Sequence, residues 1–197
     1  MLRKAIYPKV EAIINPIAES LRQKGFTPNQ LTYAGLVLNF LAGFLYAKGL
    51  LILGALLLLF ASLGDLLDGP LARVSKRSSD FGAFLDSTVD RYSDFFIFGG
   101  LALYFAKNNE GGWFLIVLGI LLGAYVTSYA KARAENLIKH CSVGIFERAE
   151  RILVIALGTL LPFLLPLCLV ILFLGTNVTA LHRILYTYQT LKKESRI

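Results

Sequence analysis

The chain has 197 residues, 56% of them hydrophobic and only 17% charged, with a mean hydropathy of +0.63. Soluble domains carry about 25% charged residues, so this balance excludes a water-surrounded globular core and points to a bilayer. The net charge of +7 then has anionic lipid as its counterpart, not nucleic acid.

The first segment, "MLRKAIYPKVEAIINPIAESLRQKGF", spreads its charges through a helix-period pattern that puts Ile6, Val10, Ile13, Ile17 and Leu21 on one side. A removable signal would instead set a short apolar core directly after its basic residues. The expectation is a juxtamembrane amphipathic helix over residues 1–24, lying at the interface. A single membrane domain over residues 25–197 follows it.

Apolar runs then recur at Leu31–Ala47, Leu50–Leu63, Phe95–Ala106, Trp113–Ala130, Ile152–Leu161 and Leu164–Leu181. With flanking turns counted, each comes near the roughly 20 residues of a spanning helix. Turn-like breaks separate them: "KG" at 48–49, "KNNEGG" at 107–112, and "LPFLLP" at 161–166, which divides the last apolar block into two helices. The expected fold is therefore all-α and integral to the membrane, an interfacial helix plus six transmembrane helices. Of the 20 Lys and Arg residues, only Lys48 and Lys107 fall in the loops on one side. By the positive-inside rule the opposite side, with both termini, is cytoplasmic, and the cell membrane is the location. Cys141, Cys168, His140 and His182 have no metal or redox spacing and read as structural.

All six aspartates of the chain lie between Gly64 and Asp94. Asp65 and Asp68 are three apart. Asp86, Asp90 and Asp94 follow one another at intervals of four, so each set shares one side of its helix. Two consecutive helices can thus aim four carboxylates at a common point near their cytoplasmic ends. Like charges in a low-dielectric medium repel, and such a cluster calls for cations. Carboxylate oxygens suit hard divalent ions such as Mg²⁺ or Mn²⁺, and four of them suit a bridged pair. Salt bridges to Arg73 and Arg91 are the bland alternative. Gly69, Ala72, Gly82 and Ala83 leave room for a ligand or for a facing backbone.

As a pattern the stretch is D-x2-D-G-x2-A-R-x8-G-x3-D-x3-D, eight fixed residues over the 26 positions from Asp65 to Asp90. Every fixed position matches the signature of the CDP-alcohol phosphatidyltransferases, which the chain resembles over nearly its whole length. The resemblance implies the same helical fold around a polar cavity on the cytoplasmic side. It also implies that Asp65, Asp68 and Asp86 bind metal, with Asp90 completing the site as general base. Gly69 and Arg73 would contact the CDP part of the donor, with Ser79 from the following loop. "TPNQLT", residues 27–32, resembles the family's cytidine-side element, with Asn29 and Thr32 as contacts; its bland reading is a proline-containing helix start with an Asn cap.

The acceptor is read elsewhere. Lys131, Arg148, Arg151 and Arg183 can converge beside the aspartates as a pocket for a phosphorylated alcohol; the alternative is topology charge. The arrangement "KARAE…G-x2-ER-x2-ER" is similar to the branch of the family that makes phosphatidylinositol phosphate or its archaeal ether-lipid counterpart. There the residues matching Lys131, Arg151 and Arg183 are associated with the acceptor phosphate. The resulting expectation is a metal-dependent transferase of phospholipid biosynthesis. It would use a CDP-linked lipid as donor, inositol 1-phosphate as acceptor and two Mg²⁺ or Mn²⁺ ions, and work as a homodimer. Glycerol 3-phosphate is the alternative acceptor, and a divalent-cation transporter the alternative of another class.

Overall fold

Thr27 starts the first long helix because it is not yet helical itself: its hydroxyl accepts from the Gln30 N–H at 3.4 Å, while the Gln30 side chain accepts from the Thr27 N–H at 2.9 Å. That capping box, with Pro28 behind it, corrects the Asn-cap expectation. Asn29 stands past the cap, inside the first turn. The computed structural model describes residues 14–75 and 79–194. Residues 14–23 form helix α1, which carries Ile17 and Leu21; Ile6, Val10 and Ile13 lie outside the described residues. The long helices are α2 (Pro28–Ala47), α3 (Leu51–Val74), α4 (Asp80–Lys107), α5 (Gly111–Ala134), α6 (Arg148–Leu160) and α7 (Leu165–Lys193). Among the described residues there is no strand.

The breaks fall where the turn residues lie. Gly49 takes φ +79° between α2 and α3, and Asn109 takes φ 59° between α4 and α5. Lys107 Nζ reaches back to the Ala47 carbonyl at 3.0 Å, which ties these two turns together. The "LPFLLP" stretch becomes a single 3₁₀ turn, Pro162–Leu164, before α7. The loop after α5 is pinned differently. Gly144 has φ +117°, and the N–H groups of Ile145 and Phe146 donate to Thr179 Oγ1 at 3.3 and 3.1 Å. That anchoring on α7 sets where α6 can begin.

Small residues bring the helices close. Gly43 on α2 and Gly100 on α4 meet backbone to backbone, and a Cβ on either would run into the opposite main chain. Asn39 Nδ2 donates to Ser93 Oγ at 3.2 Å across the same crossing. Tyr46 and Thr159 join α2 to α6 at 3.0 Å, and Thr127 Oγ1 donates to the Thr176 carbonyl of α7 at 3.0 Å. Tyr46, Leu58, Ile97, Leu101, Ile120, Ile155 and Leu169 fill the core.

Large apolar side chains also cover the outside, among them Leu53, Phe60, Leu115, Leu122 and Leu153. That outer face suits lipid, where no polar shell is needed. Among the described residues, four segments are long and apolar enough to cross a membrane: Pro28–Ala47, Leu51–Val74, Gly111–Ala134 and Pro162–Lys193. The other two long helices, α4 and α6, differ for identifiable reasons. Helix α4 carries five charged residues among its first 15, and α6 has only 13 residues, about 20 Å at 1.5 Å per residue.

Candidate active site

Helix α2 packs against both α3 and α4, and α6 packs against α3; the aspartates of α3 and α4 face the cavities left between these helices. The i, i+3 and i, i+4 spacings do what helical geometry requires. Asp68 and Asp86 border one cavity, and Asp65, Asp86 and Asp90 another. Asp86 belongs to both.

The first cavity has a volume of about 310 Å³ and lies between α2, α3 and α4. Asn29, Thr32, Gly69, Arg73 and Ser79, the residues expected at the CDP group, all line it, as do Ala72, Gly82 and Ala83. Thr32 Oγ1 lies 3.4 Å from Asp68 Oδ2 and 3.2 Å from the Pro28 carbonyl. Ser79 caps α4, accepting from the Gly82 N–H at 3.0 Å. A Cβ on Gly69 would meet only Arg73 Nη1, at 3.9 Å. No facing helix explains that glycine; it opens onto the cavity.

A second polar cavity, also about 310 Å³, is lined by Lys131, Arg148, Arg151 and Arg183, the four cations expected at the acceptor phosphate. Glu135, Glu147, Thr127 and Ser128 share its wall. Arg183 is buried and bonded once through each nitrogen: Nε donates to the Val143 carbonyl and Nη1 to the Thr127 carbonyl, both at 2.9 Å, and Nη2 to Glu147 Oε1 at 3.1 Å. Lys131 Nζ lies 3.6 Å from the same Glu147 oxygen. Glu147 also caps α6, so one carboxylate orders the helix start and two of the cations. Its role carried no sequence signal beyond the Glu147–Glu150 capping spacing.

Arg148 stands between the aspartates and this second cavity. Its Nη1 is 2.6 Å from Asp65 Oδ2 and 2.7 Å from Asp90 Oδ1. Arg91 Nη2 adds a contact to Asp90 Oδ2 at 3.3 Å. Arg91 was foreseen as an aspartate partner; Arg148 was foreseen only on the acceptor side. Gly35 was not foreseen at all. A Cβ there would lie 2.8 Å from Asp65 Oδ1, so α2 presents bare backbone to that carboxylate.

Oxygen-only donors on Asp65, Asp68, Asp86 and Asp90 fit a hard divalent cation in kind and charge. Among the described residues no three His, Cys, Asp or Glu side chains close up on one point. The Arg148 guanidinium holds Asp65 and Asp90 instead.

The profile of the family described as CDP-alcohol phosphatidyltransferase matches residues 26–189. An archaetidylinositol phosphate synthase of Methanothermobacter thermautotrophicus is 36% identical over 192 residues, covering 94% of this chain and 93% of that protein. A phosphatidylinositol phosphate synthase of Cutibacterium acnes is 40% identical over 144 residues, covering 72% and 70%. The crystal structure of the Mycobacterium tuberculosis phosphatidylinositol phosphate synthase with CDP-DAG bound superposes with a TM-score of 0.84 at 31% identity, covering 90% of this chain and 94% of that one. The same enzyme in complex with manganese and citrate gives a TM-score of 0.83 at 31% identity, covering 89% and 88%.

Proposed function

This chain belongs to the CDP-alcohol phosphatidyltransferase family, and from that premise we propose that it joins the phosphatidyl group of a CDP-linked lipid to inositol 1-phosphate and releases CMP. The observation that carries the reading is the layout of two polar cavities around one carboxylate cluster. The residues expected at the cytidine diphosphate line one, and the cations expected at an acceptor phosphate line the other. The names of the relatives support the choice of acceptor.

In the reaction, the acceptor hydroxyl oxygen bonds to the phosphorus nearest the lipid. The bond from that phosphorus to CMP breaks, and CMP leaves with its electrons. Asp90 takes the hydroxyl proton, since an alcohol is a poor nucleophile until a base receives it. Arg73 meets donor phosphate oxygens, while Gly69 leaves them room beside the α3 backbone. Lys131, Arg148, Arg151 and Arg183 hold the acceptor phosphate, with Arg148 nearest the carboxylates. Divalent cations held by Asp65, Asp68, Asp86 and Asp90 would offset the charge that builds on the pyrophosphate.

The number of carboxylates supports two such cations: Asp65, Asp68, Asp86 and Asp90 border two cavities, and Asp86 is common to both. Manganese in the mycobacterial relative favours Mn²⁺ or Mg²⁺. The same reading takes α2 to α7 as six spans in the cell membrane, with both termini and the site on the cytoplasmic side, and the working unit as a homodimer.

The test is CMP release by purified protein with CDP-diacylglycerol and a panel of acceptors, with and without Mg²⁺. Inositol 1-phosphate should be the preferred acceptor, and free inositol a poor one. Arg151→Ala should raise the KM for inositol 1-phosphate by about 10- to 150-fold, the value of a charge-assisted hydrogen bond. The donor KM should barely move. Faster turnover with glycerol 3-phosphate would refute the acceptor, and full turnover in excess EDTA would refute the metals.

A further inference from the structure

Asp94 lies one helical turn beyond Asp90, outside the eight-residue signature, and no step of the reaction uses it. It is buried, 1% exposed, and its Oδ2 sits 2.6 Å from Nη2 of Arg151, which is also 1% exposed. The other oxygen, Oδ1, has no hydrogen-bond partner and lies 3.7 Å from Arg148 Nε. Arg151 Nε and Arg148 Nε are equally unpartnered. The turn that follows is apolar on both helices, with Ile97 and Phe98 on α4 and Ile152 and Ile155 on α6 inside the core. Both arginines line the acceptor cavity, and Asp94 holds Arg151 from behind its wall.

Stability does not account for it. A fully buried ion pair contributes no more than a well-packed apolar pair of the same volume, and often less. The two unsatisfied nitrogens and the unsatisfied oxygen add to that cost. What the arrangement achieves is orientation. A guanidinium on a long flexible stem is useful to a phosphate only when its planar fork is aimed. Asp94 grips Arg151 by one nitrogen and leaves Nε without a protein partner. Its second oxygen sits beside Arg148, the residue that also reaches Asp65 and Asp90.

We propose that Asp94 is a positioning residue for the acceptor: it aims Arg151, and with it Arg148, at the phosphate of the incoming alcohol. This rests on the reading of Arg151 as an acceptor-phosphate ligand. The experiment measures acceptor KM, donor KM and kcat by CMP release for the wild type, Asp94→Asn, Asp94→Glu, Arg151→Gln and the Asp94→Asn/Arg151→Gln pair. Asp94→Asn should raise the KM for inositol 1-phosphate about 10-fold, with donor KM and kcat changed less than about twofold. Asp94→Glu, which keeps the charge, should recover part of the loss. In the Arg151→Gln background the Asp94 substitution should add nothing further, because its effect passes through that arginine. An acceptor KM within twofold of wild type for Asp94→Asn overturns the proposal. So does an equal increment in both backgrounds, or a donor KM that rises alongside. Arg151→Gln with an unchanged acceptor KM overturns the underlying reading instead. Should Asp94→Asn leave Arg151 uncompensated and unfold the protein, Asp94→Glu carries the test, and an unchanged acceptor KM there is the refuting result.

Discussion

Gly35→Ala separates the chemistry of this site from the stability of its scaffold. The added Cβ would lie 2.8 Å from Asp65 Oδ1, whereas ordinary contact begins at 3.4 Å, so the carboxylate must retreat by about 0.6 Å. The oxygen is the end of a rotatable side chain and can move at small cost. Alanine also gains about 0.8–1.0 kcal/mol of helix propensity over glycine. The two terms nearly cancel, and the melting temperature should stay close to wild type. Catalysis should not. Metal–ligand distances tolerate about ±0.2 Å, and a 1 Å misplacement costs roughly 10²-fold in rate. A shift of half that or more should lower kcat about 10-fold at saturating CDP-diacylglycerol, with weaker Mn²⁺ binding in a titration of the same protein. Wild-type turnover in a folded Gly35→Ala protein would refute the geometry of Asp65 against α2.

Gly69→Ala should leave the fold intact and raise the donor KM about 10-fold, because its Cβ meets no facing backbone and points where the donor phosphate would pass; loss of stability would mean that helix packing, not ligand access, accounts for the glycine. Gly43→Ala and Gly100→Ala should do the reverse, lowering thermal stability by about 1–3 kcal/mol or more, since each places a methyl group against the opposite main chain; unchanged melting of either would contradict the crossing of α2 and α4. Arg148→Gln removes the guanidinium from between Asp65 and Asp90 and should tighten Mn²⁺ binding about 10-fold while weakening acceptor binding. Weaker Mn²⁺ binding in that variant would mean that Arg148 organises the carboxylates and does not compete for them.

Each pair of carboxylates was legible because helical spacing alone puts its members on one side of a helix. Asp65 with Asp68, and Asp86 with Asp90, need only that α3 and α4 be helices, and Gly69, Ala72, Gly82 and Ala83 then fall beside them. The convergence of Lys131, Arg148, Arg151 and Arg183 needed three further helices to pack, and it followed from family resemblance more than from spacing. Partner choice within that cluster was not legible. Arg148 meets Asp65 across 83 residues of sequence, and Arg151 meets Asp94 across 57. Those pairings depend on the loop that Thr179 pins and on the crossing set by Gly43 and Gly100. Neither leaves a local pattern. The Asn cap failed for a local reason: with Thr at 27 and Gln at 30, the capping box two positions earlier satisfies two backbone donors, where an Asn29 cap satisfies one.

Hydropathy divides the bundle in an informative way. The segments apolar enough to cross a membrane carry their site charges close to one end, Asp65 and Asp68 on α3 and Lys131 on α5, with Arg183 on α7; α4 and α6, the two that fall short, supply Asp86, Asp90, Asp94, Arg148 and Arg151. A helix cannot be both a good solute in lipid and the bearer of a polar reaction centre along the same turns. The ion pairs between α4 and α6 offset part of the charge that lipid would reject. Where a chain otherwise obeys the rules of its solvent, the segments that break them mark the chemistry. Here those breaks fall on the first turns of α6 and the first half of α4, where both cavities and the carboxylates meet.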